Sequence, residues 1–157
     1  MDARDDPAAF YPLFSTLTRL ETELWDAVDA RLRDECGLPL GRYEAMVVVA
    51  SVGACRVFDI ASALSITGGG ASKLIDRVEA AGFCSRRINP GDRRSSLLEL
   101  TPEGSAVVDQ ARAVVEAELD RWFTPGLTTQ ETNLLLELLA RVRSAQRTAV
   151  DSKAAGQ

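Results

Sequence analysis

Three patterns in the chain predict a mainly α-helical protein, built on a winged helix-turn-helix with a small β-hairpin wing. Apolar residues recur at threes and fours through most of the sequence, the spacing of helices with one buried face. Two short stretches of this kind, 57–64 and 67–81, are joined only by Ser65-Ile66, as in a helix-turn-helix. Just beyond, the turn formers Asn89-Pro90-Gly91-Asp92 separate two runs of strand length, 84–88 and 95–100, which read as a hairpin wing over 84–100. N- and C-terminal helices on either side, over 11–36 and 101–150, carry more apolar surface than so small a core can cover. They are expected to be dimerisation helices.

The first helix is expected to open near Pro12, since proline suits a first helical turn and not an interior. Its stripe is Leu13, Leu17, Leu20, Leu24, Val28 and Leu32, widened by Phe14 and Trp25, and Gly37 ends it as a left-handed cap. A second helix, 41–52, is apolar on most sides through AMVVVASV and should lie centrally, with Gly53 ending it. The third turns Ile60, Ala61 and Leu64 inward. Thr67 is a good N-cap for the fourth, which sets Ala71, Leu74, Ile75, Val78 and Ala81 on one face. Gly69, Lys73, Asp76 and Ala80 lie opposite, and Gly82 terminates the helix. Thr101-Pro102-Glu103 supplies a cap, a first-position proline and a first-turn acid for a fifth helix. Thr128 and Glu131 form a capping box for a sixth, whose stripe is Leu134, Leu135, Leu138, Leu139 and Val142. Residues 40–100 make up the winged region, and 151–157 are expected to fray.

With 46% apolar and 26% charged residues, the 157-residue chain belongs to the globular class, as one domain or two small lobes. Its longest apolar run, 45–50, is too short to span a bilayer, and MDARDDPAAF lacks the regions of a signal peptide. A cytoplasmic protein with no membrane partner is expected. Histidine is absent, which excludes triads and zinc sites built on imidazole. Glu116, Glu118 and Asp120 read as a solvated helix face, and the glycine run before Ser72-Lys73 lacks the spacing of a phosphate loop. No catalytic residue, metal ligand or cofactor is expected, so the chain does not read as an enzyme. Three cysteines, Cys36, Cys55 and Cys84, cannot all pair within one chain. They read first as small buried residues and second as a redox switch.

Charge is unevenly placed. The chain carries −5 overall, yet from Thr67 to Arg94 six bases face three acids, which leaves −8 on the remainder. A basic patch on an acidic body binds nucleic acid at one place and is repelled elsewhere. Gly68, Gly69 and Gly70 each cost up to about 1 kcal/mol against alanine in a helix. What offsets this is close backbone approach to another surface, with free amides and a positive dipole end for phosphate. The competing reading is a tight helix–helix crossing. Thr67 and Ser72 add hydroxyls nearby. Lys73 and Arg77 sit on the second helix of the helix-turn-helix, the one that enters a major groove, where they can meet guanine or phosphate. Asp76 is expected to pair with Lys73 or a wing arginine. Arg93 and Arg94 follow the wing turn and suit a minor groove, with Asp92 orienting one of them through a bidentate pair. Arg86 and Arg87 point to opposite sides of a strand, so at most one faces phosphate, and Arg86 is counted among the DNA contacts.

The run DIASALSITGGGASKLIDRVEAAGFCSRRINPGDRRSSLLELTPEG, 59–104, resembles the winged helix-turn-helix of MarR-type transcriptional regulators. The D-R-R wing followed by L-T-P-E-G is its most specific part. The resemblance implies an obligate homodimer with intertwined terminal helices, each protomer presenting one winged domain to a pseudo-palindromic operator in double-stranded DNA. It places the recognition helix at 67–81, with Ser72, Lys73 and Arg77 as DNA contacts and Asp92 with Arg94 as the wing pair. It further implies a repressor released from DNA by a small, often aromatic ligand, for which no residue motif defines the pocket. Redox-sensing relatives keep a cysteine near the start of the first helix, where this chain has Phe10 and Tyr11. A cysteine-based redox regulator and a winged module that binds protein are the alternatives.

Overall fold

A computed structural model of the protein describes residues 10–92 and 95–154. Among them the elements run α1 (Phe10–Cys36), α2 (Leu40–Ser51), α3 (Val57–Ala63), α4 (Gly68–Ala80), β1 (Cys84–Ile88), β2 (Ser96–Leu100), α5 (Pro102–Phe123) and α6 (Thr129–Ala154). This is the mainly helical, winged architecture that the apolar spacing and the turn cluster predict. The chain divides into two compact units after Leu119.

In the first unit the core gathers around α2, whose Ala45 and Met46 are fully buried. Val28 and Leu32 of α1, Ile60 of α3, and Ala71, Ile75 and Val78 of α4 complete it, with Leu98 of β2 and Val108 and Ala111 of α5. Gly37 caps α1 at φ 63°, and the amides of Gly37 and Leu38 donate to the carbonyls of Arg33 and Leu32. Pro39 has no side chain with which to cap α2, so Asp29 does it from α1. Its Oδ1 accepts from the Leu40 amide at 2.7 Å while Oδ2 takes Arg33 Nε at 2.5 Å. Burial pushes the Asp29 carboxyl up, but the bonds from Arg33 and the Leu40 amide outweigh it and hold the pKa below the ordinary value.

Two helix ends position α4. At the end of α3, Ser65 takes φ 54°, where its amide reaches Ser62 and that of Ile66 reaches Ala61, a closure in which glycine is usual. At the end of α4, Gly82 at φ 80° does the same, with its amide on Glu79 and that of Phe83 on Val78. The antiparallel hairpin pairs Cys84 with Leu100 and Ile88 with Ser96. The Leu98 amide ties it to the segment before α3 by donating to the Cys55 carbonyl at 2.8 Å. Thr101 Oγ1 then accepts from the Gly104 amide at 3.0 Å and donates to the Gly82 carbonyl at 2.7 Å. A Cβ at Gly104 would collide with the Phe83 carbonyl, so glycine here is a steric requirement.

In the second unit Thr128 and Glu131 form the expected capping box. Glu131 accepts from the Thr128 amide at 2.8 Å, and its own amide donates to Thr128 Oγ1 at 3.3 Å. The Thr128 amide, more than its hydroxyl, lowers the Glu131 pKa.

Several boundaries and faces differ from the sequence reading. Thr67 and Ala81 flank α4 as caps, and Ala81 is exposed. Helix α2 ends at Ser51, short of Gly53, and the left-handed residue beyond it is Ala54, φ 56°. Glu118 is buried, not on a solvated face. Helix α6 continues through Asp151 to Ala154, because no glycine or proline interrupts it before Gly156.

Candidate nucleic-acid interface

The polar face of α4 is held outward by a sealed inner face. Ala71, Ile75 and Val78 are wholly buried, which leaves Lys73, Asp76 and Arg77 exposed and Ser72 half-buried. Thr67 Oγ1 accepts from the Gly70 amide at 3.1 Å, so the helix starts where the N-cap rule places it. Gly68, Gly69 and Gly70 are all exposed. A Cβ at Gly68 or Gly69 would meet nothing within 4 Å, and one at Gly70 would meet only Thr67 Oγ1. The tight helix crossing that could account for these glycines has no neighbour at those two positions.

Arg86 is turned inward. Its guanidinium bonds Asp76 Oδ1 at 2.6 Å and also Glu79 Oε2, fastening β1 to α4. The hydrogen bond to Asp76 is the largest cause of the rise in its pKa, with both carboxylates adding to it. Sequence reading placed Arg86 among the DNA contacts and missed Glu79, which belongs to no motif and lies seven residues back along the chain. Arg87, on the other side of the strand, takes both oxygens of Glu99 at 2.8 Å. Arg93 and Arg94 lie outside the described residues. Asp92 closes the turn through its backbone, donating to the Asn89 carbonyl at 3.2 Å and accepting from the Ser95 amide at 3.0 Å. Asn89, read from the sequence only as a turn former, is buried and organises the loop. Its amide nitrogen donates to Ser95 Oγ at 2.9 Å and its oxygen accepts from the Gly91 amide at 3.0 Å.

The thiols are poorly placed for redox chemistry. Cys55 and Cys84 are buried and Cys36 is half-buried. Burial raises all three, Cys55 to about 11, with Asp59, Glu79 and Glu35 as further causes at Cys55, Cys84 and Cys36. A thiol in that state holds little of the reactive thiolate.

A recess of about 270 Å³ opens elsewhere on the first unit, lined by Glu21, Leu24, Trp25 and Val28 of α1, Leu40 and Glu44 of α2, and Val115 and Leu119 of α5. Trp25 also lines a recess with Leu64 and Ile66, and another with Leu74 and Arg77 of α4. Among the described residues no group of histidine, cysteine or acidic side chains could hold a metal ion, and no helix is long and apolar enough to cross a membrane.

A helix-turn-helix with an adjoining two-stranded wing and an outward polar second helix defines a winged-helix protein. The MarR family model matches residues 38–96. The multiple antibiotic resistance protein MarR of Salmonella typhimurium is 27% identical over 101 residues, 64% of this chain and 70% of that one. A MarR family transcriptional regulator from Streptomyces coelicolor, solved in complex with DNA, superimposes with a TM-score of 0.79 at 24% identity, covering 90% of this chain and 92% of that one. CouR from Rhodococcus jostii, solved bound to p-coumaroyl-CoA, gives 0.73 at 25% identity, covering 90% and 95%. Over residues 38–96 the chain carries the winged helix-turn-helix of the MarR family, whose members are transcriptional regulators and not enzymes.

Proposed function

We propose that the protein acts as a homodimer that binds a pseudo-palindromic operator in double-stranded DNA and represses transcription, with its hold on DNA set by a small molecule. The observation that carries this is the open space before Gly68 and Gly69 at the amide end of α4. Glycines that cost helix stability and touch nothing in their own chain are explained by a surface that arrives from outside. Phosphate at a helix N-terminus fits that role. Ser72, Lys73 and Arg77 then reach the major groove, Arg93 and Arg94 serve as minor-groove contacts with Asp92 orienting one of them, and Arg86 positions the wing against α4.

The dimer is supported by apolar surface left uncovered within each unit. Phe10, Leu13, Phe14 and Leu17 of α1 are exposed, as are Leu134, Leu135, Leu138 and Val142 of α6. Two recognition helices about 34 Å apart would occupy successive major grooves, and a dimer seated there would exclude other proteins from the operator. DNA selected from a random library should converge on an inverted repeat. On that DNA, Lys73→Ala should weaken binding by about 1–3 kcal/mol and lower the salt dependence by about one unit of slope. Failure to select any motif would overturn the reading.

A further inference from the structure

We infer that Asp76 is a specificity-determining residue, with one carboxylate oxygen accepting a hydrogen bond from the amino group of a cytosine in the major groove. This rests on the proposal that α4 enters an operator, and adds the base that one position of the helix selects.

Placement comes first. Asp76 shares the outward stripe of α4 with Gly69 and Lys73, opposite the buried Ala71, Ile75 and Val78, and its side chain is 60% exposed. By helical rise it stands about 4.5 Å beyond Lys73, little more than the ~3.4 Å between successive bases. A groove that receives Lys73 therefore receives Asp76. The carboxylate is also held without being used up. Arg86 Nη2 takes it through Oδ1 at 2.6 Å, whereas Arg87 Nη1 takes both oxygens of Glu99 at 2.8 Å. Among the described residues no donor reaches Asp76 Oδ2. A bare carboxylate at DNA would be repelled by phosphate, and the guanidinium beside Oδ1 offsets that repulsion. Its second bond, to Glu79 Oε2, keeps Arg86 against α4 while Oδ2 faces outward.

The base follows from an acceptor that has no donor of its own. Guanine and thymine present O6, N7 and O4 to the groove, and these repel a carboxylate. Cytosine N4 and adenine N6 both donate. The adenine amino group, however, lies between two acceptors, its own N7 and O4 of the paired thymine. That of cytosine has an acceptor on one side only, guanine O6.

The test selects DNA from a random library with the full chain, with Asp76→Ala and with Asp76→Asn. The parent should select a C·G pair at one position of each half-site. Replacing that pair should cost the parent at least about tenfold in affinity and Asp76→Ala less than about twofold. Asp76→Asn keeps an oxygen for Arg86 and brings an amide donor, the pair of groups that matches adenine N6 and N7, so its preference should move to A·T at that position. Where Asp76→Ala binds too weakly to select a motif, the base preferred by Asp76→Asn decides. Identical motifs from the parent and its variants, whatever their affinities, would overturn the inference and leave Asp76 as an anchor for Arg86 alone. So would a preference lost at an A·T pair. A parent chain that selects no motif overturns the operator reading and this inference with it, whereas unchanged motifs overturn only this inference.

Discussion

At the scale of single residues, the site depends on side chains whose partners lie far along the chain. Arg86 bonds two carboxylates of α4, Asp76 and Glu79, and so fixes where the wing stands relative to the recognition helix. Its replacement by methionine should lower operator affinity while leaving the salt slope as in the parent, because no phosphate contact is lost. Lys73→Ala should change both. Affinities measured across a range of salt concentrations separate the two, and a reduced slope in Arg86→Met would return that residue to the DNA surface. The same partly exposed pair contributes only about 1 kcal/mol to folding, so the variant should still be folded at room temperature.

At the scale of elements, the glycine-opened start of α4 sets helix stability against recognition. Gly69→Ala meets no neighbouring atom and should stabilise the fold by up to about 1 kcal/mol, seen as a higher midpoint in thermal melts. Operator binding should fall in the same variant, since the added methyl stands where the DNA backbone would approach. A variant that is both more stable and equally tight would show that the glycines serve something else. Much at this scale was legible in the chain. Thr67, Thr101 and the Thr128–Glu131 pair cap the helices that follow them, because capping acts over three residues. Less legible were the links that close over longer separations. Asp29 caps α2 from eleven residues away, and Glu44 enters an apolar recess made by three helices. Ser65 and Ala54 take left-handed conformations that composition assigns to glycine. Periodicity reports which face is buried and not which partner buries it.

For the molecule as a whole, the proposed contact is local, and on the same proposal its affinity depends on two copies. Leu134→Asp with Leu138→Asp on the exposed stripe of α6 should yield monomers by sedimentation and lower operator affinity by at least about 100-fold, as one half-site loses its tethered neighbour. A monomer that bound as tightly would remove the need for the dimer. The junction between α4 and α5 bears on how any change in spacing would be delivered. Gly104 packs against the Phe83 carbonyl without room for a methyl, and Thr101 bonds the Gly82 and Phe83 carbonyls on the same side. Backbone meets backbone there, with no long side chain to flex between them. Such a joint behaves as a rigid coupling and not as a spring: a tilt at the start of α5 arrives at the recognition helix as an equal turn, undamped.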